Sequence, residues 1–185
     1  MNYRGQAKLY YLYMMSDGDV SANEKKLFTL ICKGLYIDAD DKKRIIKECK
    51  EIYKEEGLSC IDVLKKNAEE DNMQGVSNID LDKYVSDKDK ASIMWNLINL
   101  GYADAYYTSD EKEVVDFLCE YWEIKDSLYQ EMLDVAETIL ALEEHKKWVE
   151  KTLPESEQKQ AKLKQIKKDI KFVRDTIKIT ISEID

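Results

Sequence analysis

The chain has 185 residues, of which 44% are hydrophobic and 36% charged, with only six glycines and one proline. This balance is typical of a soluble helical protein rather than a disordered or sheet-rich one. The net charge of −9 argues against nonspecific nucleic-acid binding, which depends on Lys and Arg displacing counterions from phosphates.

The charge is distributed unevenly along the chain. Residues 145–185 carry 11 Lys and Arg against 7 Asp and Glu, so this tail has a net charge of +4 and residues 1–144 one of −13.

No window approaches 18 apolar residues, and the first residues lack the apolar core of a signal peptide. We therefore expect a cytoplasmic protein that does not insert directly into a membrane.

The first predicted helix covers about residues 6–16 and ends at the turn Asp17-Gly18-Asp19. Ser21-x-x-Glu24 then forms a capping box, in which each side chain accepts a hydrogen bond from the other residue's backbone N–H. The apolar stripe predicted for this second helix is Leu27, Leu30, Ile31, Gly34 and Leu35. Glycine within that stripe favours a close helix crossing.

Three further helices are predicted in the middle of the chain. One starts after Asp38 and ends at Gly57, with Ile45, Ile46, Cys49, Ile52 and Tyr53 as its buried positions. Ser59 opens a shorter helix to about residue 70, and residues 71–85 are predicted to form a loop. Ser86 caps the third helix, whose apolar positions are Ile93, Met94, Leu97, Ile98 and Leu100.

An internal repeat follows. The segment Asp104 to Glu111 repeats the pattern of Asp17 to Glu24 at a distance of 87 residues, and Thr108-x-x-Glu111 is a second capping box. The helix that it opens has the apolar stripe Val114, Val115, Leu118, Cys119 and Trp122. The sequence therefore predicts an all-α bundle of two related halves, about residues 6–56 and 86–143, within a domain of residues 1–143.

Residues 144–185 are predicted to form a basic, coiled-coil-like helical arm. Thr152-x-x-Glu155 reads as a third capping box that places Pro154 in the first turn of a new helix. This helix would pair antiparallel with the preceding one through a seam of Leu163, Ile166, Ile170, Val173, Ile177, Thr180 and Ile184. The arm can fold back on its own body, self-associate or bind a protein partner through residues 154–185.

The acidic turns allow two interpretations. Hard cations such as Ca²⁺ and Mg²⁺ take several oxygen ligands, and the carboxylates of the two turns could supply them: Asp17, Asp19, Glu24, Asp104 and Glu111. An EF-hand is excluded, because the sixth and twelfth positions counted from Asp17 are Ala22 and Phe28. The other interpretation is that Ser21/Glu24 and Thr108/Glu111 only cap helices, which leaves Asp17 and Asp104 unexplained.

The sequence contains no catalytic constellation. His145 is the only histidine, the four cysteines have no evident partner base, and no glycine-rich phosphate loop is present. We expect a protein that is not an enzyme, with a metal-dependent hydrolase as the least favoured alternative. The cysteines are expected to be reduced and mostly buried.

Five tyrosines near the two turns are expected either to line a ligand surface or to lie at the edge of the core: Tyr10, Tyr11, Tyr13, Tyr106 and Tyr107.

The pattern D-G-x-[IV]-x-x-x-E at a helix-turn-helix junction resembles the tellurite-resistance protein TerB and the wider TerB-like family. It is matched in full at Asp17, Gly18, Val20 and Glu24, whereas the second copy has Ala105 and Tyr107 in place of glycine and the aliphatic residue. The resemblance covers about residues 6–143. It implies a compact helical fold whose two acidic junctions bind a divalent metal, with Ca²⁺ or Mg²⁺ favoured over Zn²⁺.

The function implied by this resemblance is that of a binding or scaffolding module linked to tellurite or other chemical stress near the membrane. Its partners would then include a membrane-associated protein. The alternative expectation is a metal-free interaction domain in which the acidic turns cap helices and the arm mediates oligomerisation or partner binding. No nucleic-acid partner is expected in either case.

Overall fold

The computed structural model describes residues 2–69, 85–103 and 107–184, and all regular structure in these ranges is helical. Its α-helices are α1 Tyr3–Met14, α2 Ala22–Gly34, α3 Ala39–Glu51, α4 Cys60–Glu69, α5 Asp87–Gly101, α6 Ser109–Tyr121, α7 Asp126–Thr152 and α8 Glu157–Ser182. One turn of π-helix, Ile52–Glu56, continues α3 and ends at Gly57, as predicted. The all-α class is confirmed; the predicted loop at 71–85, except Val85, lies outside the described residues.

Two compact units make up the chain, residues 1–124 and 125–185. The domain boundary predicted after residue 143 falls within α7. Within the described ranges, no helix combines the length and the apolar character that crossing a bilayer requires.

The repeat of 87 residues is preserved at the helix boundaries. Helices α2 and α6 begin at residues 22 and 109 and end at 34 and 121, so both ends keep the same spacing. The C-terminal ends of α1 and α5, at residues 14 and 101, and the starts of α3 and α7, at 39 and 126, keep it as well. This confirms the prediction of two related halves and places the duplicated capping boxes at equivalent structural positions.

Helices α2 and α6 also end in the same way, with equivalent hydrogen bonds 87 residues apart. The N–H of Ile37 donates to the carbonyl of Cys32 at 2.9 Å, and the N–H of Ile124 donates to the carbonyl of Cys119 at the same distance. Each bond closes a Schellman motif, which requires a left-handed residue just before its donor. Glycine normally fills that position, but this chain uses Tyr36 at φ 57° and Glu123 at φ 55°.

Replacing Tyr36 by glycine is therefore expected to stabilise the protein by about 0.5–1 kcal/mol, because a side chain in the left-handed region is strained. Tyr36 is 90% exposed, so its removal sacrifices little packing. Chemical denaturation checks the change, with Tyr36→Ala as the matched control that removes the ring and keeps the strain. Equal stability of the two variants would contradict the explanation.

Helix α1 is the centre of the first unit. It packs against each of the helices α2 to α6, and every residue from Gly5 to Met14 is buried. Even Lys8 lies inside, where its ammonium pairs with a carboxylate oxygen of Glu48 on α3 at 2.8 Å. A second cation, Arg4, also pairs with Glu48. These ion pairs hold the first half of α1 against α3.

Most predicted core positions are confirmed, but the face of α2 is not. All five predicted apolar positions of α5 are buried, and in α6 only Cys119 is half-exposed. In α2 the buried residues are Glu24, Phe28 and Cys32, whereas the predicted Leu30 is 66% exposed. Gly34 makes no close crossing, because a Cβ there would have no atom within 4 Å, and α2 ends at this residue. Tyr53, predicted as buried, is 40% exposed.

The second unit is an antiparallel pair formed by α7 and α8, as predicted. Thr180 near the end of α8 donates to Glu131 near the start of α7 at 2.9 Å. At the opposite end, the buried Lys159 donates to the carbonyl of Glu150 and pairs with Glu155 at 2.6 Å. Apolar residues fill the seam: Met132, Ala136, Ile139 and Val149 from α7, and Leu163, Ile166, Ile170, Ile177 and Ile181 from α8.

The predicted start of the last helix is wrong. Thr152 is the final residue of α7 rather than a cap, and Pro154 lies in the turn. Ser156 caps α8 by accepting a hydrogen bond from the N–H of Lys159 at 3.2 Å. Thr152 and Ser156, four positions apart, are both capping residue types, and Ser156, which follows Pro154, is the one that caps α8.

Three of the four cysteines are buried, as expected. Burial raises the pKa of the Cys32 thiol to about 11 and that of Cys49 to about 12. Burial raises the pKa of Cys60 further still, while Cys119 is half-exposed.

Candidate metal site

The first acidic junction lies between α1 and α2. Gly18 has φ 89°, a left-handed conformation that favours glycine, and the carboxylate Oδ1 of Asp17 accepts a hydrogen bond from the N–H of Asp19 at 3.1 Å. This side-chain turn gives Asp17 a structural role that the sequence analysis missed. Both aspartates remain exposed to solvent.

The capping box that follows is confirmed in full. The N–H of Ser21 donates to Oε2 of Glu24 at 2.7 Å, and the N–H of Glu24 donates to Oγ of Ser21 at 3.1 Å. Capping glutamates ordinarily lie at the surface, but Glu24 is only 2% exposed. Burying a carboxylate is unfavourable, so capping alone does not account for the position of this side chain.

The second junction repeats this geometry. The N–H and the hydroxyl of Thr108 each donate to Oε2 of Glu111 at 2.9 Å, and the N–H of Glu111 donates to Oγ1 of Thr108 at 3.3 Å. Glu111 is 4% exposed. Its predicted companion Asp104 lies outside the described residues.

The carboxylates of the two junctions influence each other electrostatically within the first unit. Burial raises the pKa of Glu111 to about 7; the hydrogen bonds from Thr108 oppose this shift, while the negative charges of Asp17 and Glu24 add to it. Side chains 87 or more residues apart in the chain therefore share one electrostatic environment. Of the five predicted site residues, Asp17 and Glu24 thus act electrostatically on Glu111.

A buried tyrosine of α1 is influenced electrostatically by the same carboxylates. Tyr13, in the last turn of α1, is 0% exposed, and its hydroxyl has no hydrogen-bond partner within the described ranges. Burial raises its pKa well above the ordinary value, and Glu111, Tyr107 and Glu24 are among the groups that raise it further. Nothing in the sequence distinguishes this tyrosine from the neighbouring Tyr10 and Tyr11.

Gly101 provides the space for that hydroxyl. A Cβ at this position would lie 2.5 Å from Oη of Tyr13 and 2.7 Å from Cδ2 of Tyr107. Both distances are far inside van der Waals contact, so residue 101 must be glycine while the two tyrosines keep their positions. Tyr107 is held in turn by stacking on Tyr102, with ring centroids 5.0 Å apart.

The donor chemistry of these residues fits a hard divalent cation. The carboxylate oxygens of the two junctions are donors of the kind that Ca²⁺ and Mg²⁺ take. Within 2–69, 85–103 and 107–184, however, no three acidic, cysteine or histidine side chains are grouped closely enough to hold an ion. Asp19 contributes its backbone N–H to the turn and is exposed.

A duplicated helical bundle with an acidic capping box at each of two equivalent helix junctions defines the class of this protein. The family model for "Tellurite resistance protein TerB" matches residues 7–134, which is most of the chain and includes both junctions. The chain therefore belongs to the TerB family, which is linked to tellurite resistance. The match ends within α7, so α8 lies beyond it.

No curated protein and no solved structure matches the chain.

Proposed function

We propose that this protein is a non-enzymatic module that binds a divalent metal ion at the paired acidic junctions and serves in the response to tellurite or other chemical stress. The observation that carries the proposal is that Glu24 and Glu111 are buried carboxylates from separate halves of the chain, and that the charges of Glu24 and Asp17 both raise the pKa of Glu111. Like charges brought together in a protein interior repel each other, and a cation removes that repulsion.

In this proposal Asp17, Glu24 and Glu111 provide carboxylate ligands, and Asp19 and Asp104 supplement them. The absence of a histidine in this set favours Ca²⁺ or Mg²⁺ over Zn²⁺. The bound ion would contribute charge and cross-linking between the halves, while the chain acts as a cytoplasmic binding or scaffolding protein. Its partner would be another protein, membrane-associated proteins included.

Thermal unfolding of the metal-stripped protein tests this function, with Ca²⁺, Mg²⁺, Mn²⁺ or Zn²⁺ added in separate experiments. An ion that binds only the folded state raises the unfolding midpoint, and at 100 times its Kd it stabilises by about 2.7 kcal/mol. We expect an ion-selective rise that is lost in Asp17→Asn. Asparagine can still accept the hydrogen bond from the N–H of Asp19, so this change removes the charge and keeps the turn.

Asp110→Asn is the matched control, because Asp110 is an exposed carboxylate next to Glu111 that is not among the proposed ligands. This variant should keep the rise. No rise in the wild-type protein at millimolar ion would contradict the proposal, and metal-dependent turnover that disappears in Glu24→Gln would contradict its non-enzymatic part.

A second candidate function is protein binding or oligomerisation through the helical arm, without a metal. It is favoured by two large apolar side chains on α8 that remain exposed, Phe172 at 70% and Ile179 at 57%. Exposed lysines flank them, among them Lys171 and Lys178. The same thermal experiment separates the two candidates, because this function predicts no response to any ion.

A further inference from the structure

Four apolar positions of α2 are more exposed than the equivalent positions of α6, 87 residues later. Leu30 is 66% exposed and the other three are half-exposed, whereas in α6 one position is half-exposed and the other three are buried. Spacings of three and four residues place the positions of α2 on one side of the helix, which we term the α2 face. The positions of α2 and of α6 are Leu27, Leu30, Ile31 and Leu35, and Val114, Phe117, Leu118 and Trp122.

The difference in exposure follows from the neighbours of the two helices. Both helices pack on α1 and α5, and α6 packs on α4 as well. The ammonium of Lys65 on α4 pairs with a carboxylate oxygen of Glu113 on α6 at 3.0 Å, so α4 lies along the side of α6 that carries Glu113. Within the described part of the first unit, no helix covers the α2 face as α4 covers its equivalent.

The charges beside the α2 face are reversed relative to those of α6. Lys26 and Lys33 stand at the positions equivalent to Glu113 and Glu120. Both lysines are exposed and form no ion pair within the described ranges. A helix lying on the α2 face as α4 lies on α6 would therefore need an acidic side chain where α4 has Lys65. Like charges opposite each other in an interface are unfavourable, which disfavours the pairing of α2 with α2 of a second copy.

We propose that the α2 face binds an amphipathic helix of another protein, and that this helix carries an acidic side chain opposite Lys26, at the edge of its apolar side. Apolar side chains spaced three and four residues apart are the usual anchors between a bound helix and its receptor. In this complex Leu27, Leu30 and Ile31 contact the apolar side of the partner, and the charge of Lys26 sets its orientation. The interaction involves no metal ion, so it holds or fails independently of the proposed function.

The test titrates the whole 185-residue chain with two fluorescent peptides of residues 58–69, the segment that contains α4. One has the natural sequence and the other carries Lys65→Glu, and both are stapled because an isolated helix of this length is marginally stable. The Lys65→Glu peptide should bind about three- to fivefold more tightly, as expected for one exposed charge pair. In a chain with Lys26→Glu this order should reverse.

Two further variants separate the α2 face from other exposed apolar surface. Leu30→Ser should weaken the binding of both peptides by about tenfold, because the leucine side chain is buried only in the complex. Phe172→Ser is the matched control, since Phe172 is an equally exposed apolar residue of the second unit, and it should bind both peptides as the wild-type chain does.

Other results would overturn the proposal. It is wrong if neither peptide binds, or if the preference for the Lys65→Glu peptide is the same in the Lys26→Glu chain. Sedimentation of the chain without peptide tests the remaining occupant, and we expect the mass to be the same in the wild-type and Leu30→Ser proteins. A mass of two chains that falls to one in Leu30→Ser would assign the α2 face to a second copy.

Discussion

Raising the pH of the metal-free protein from 5 to 8 is expected to lower its free energy of unfolding by about 2.5 kcal/mol through Glu111 alone. The carboxyl group has its ordinary pKa of 4.5 in the unfolded chain and a pKa of about 7 in the folded protein. Between these values the folded state binds the extra proton. The contribution of Glu111 to stability is therefore fully present below pH 4.5 and is lost as the pH rises through 7.

Glu111→Gln checks this prediction, because glutamine keeps an oxygen that can accept the hydrogen bonds of Thr108 but cannot ionise. Urea denaturation in the presence of a chelator should show that the variant loses most of the decline seen in the wild-type protein. Glu120→Gln serves as the control, since this side chain is exposed on the same helix, and it should decline as the wild-type protein does. Parallel pH dependence of wild-type and Glu111→Gln proteins would show that Glu111 ionises freely.

Replacing Gly101 by alanine is expected to destabilise the protein by about 2–3 kcal/mol, the usual effect of forcing an extra methyl group into a packed core. The new Cβ would press on the hydroxyl of Tyr13 and the ring of Tyr107 together. Both rings are restrained, because Tyr13 is fully buried and the half-buried Tyr107 stacks on Tyr102. Chemical denaturation provides the measurement.

Gly34→Ala is a closely matched control, because Gly34 is also the last residue of an α-helix but has no atom within 4 Å of a Cβ. Alanine there should be neutral or stabilising by up to about 1 kcal/mol, in line with its helix propensity. Adding Tyr13→Phe to Gly101→Ala should recover part of the loss, since the shorter of the two contacts disappears. Equal effects at Gly34 and Gly101 would rule out the steric explanation.

The parts of the fold that depend on local interactions could be predicted from the sequence. A capping box joins residues three apart, so Ser21/Glu24 and Thr108/Glu111 are evident in the chain itself, and both form. The internal repeat added a second prediction: because the pattern occurs twice at a spacing of 87 residues, the two capping boxes occupy equivalent structural positions. The same local rule failed at Thr152, where Ser156 offered a competing cap.

The remaining features depend on contacts between distant segments, which the sequence does not show. The buried face of α2 was predicted on the premise that acidic side chains face water. Because Glu24 is buried, the helix presents a different face to the core, and Leu30 is exposed. Lys8 is buried because Glu48 of another helix meets it. In the candidate site, Asp17, Glu24 and Glu111 could be chosen by residue type, but the close approach of Tyr13 to Gly101 becomes apparent only when α1 and α5 lie side by side.

The buried cysteines have a consequence for the chemical reactivity of the protein. Oxidants and electrophiles attack the thiolate rather than the thiol. With pKa values of about 11 for Cys32 and about 12 for Cys49, and with Cys60 raised further still, these three sulfurs carry almost no thiolate at neutral pH. A member of a family linked to tellurite resistance therefore keeps its core thiols chemically inert while it is folded, and reagents that consume accessible thiols would reach them only after the helices separate.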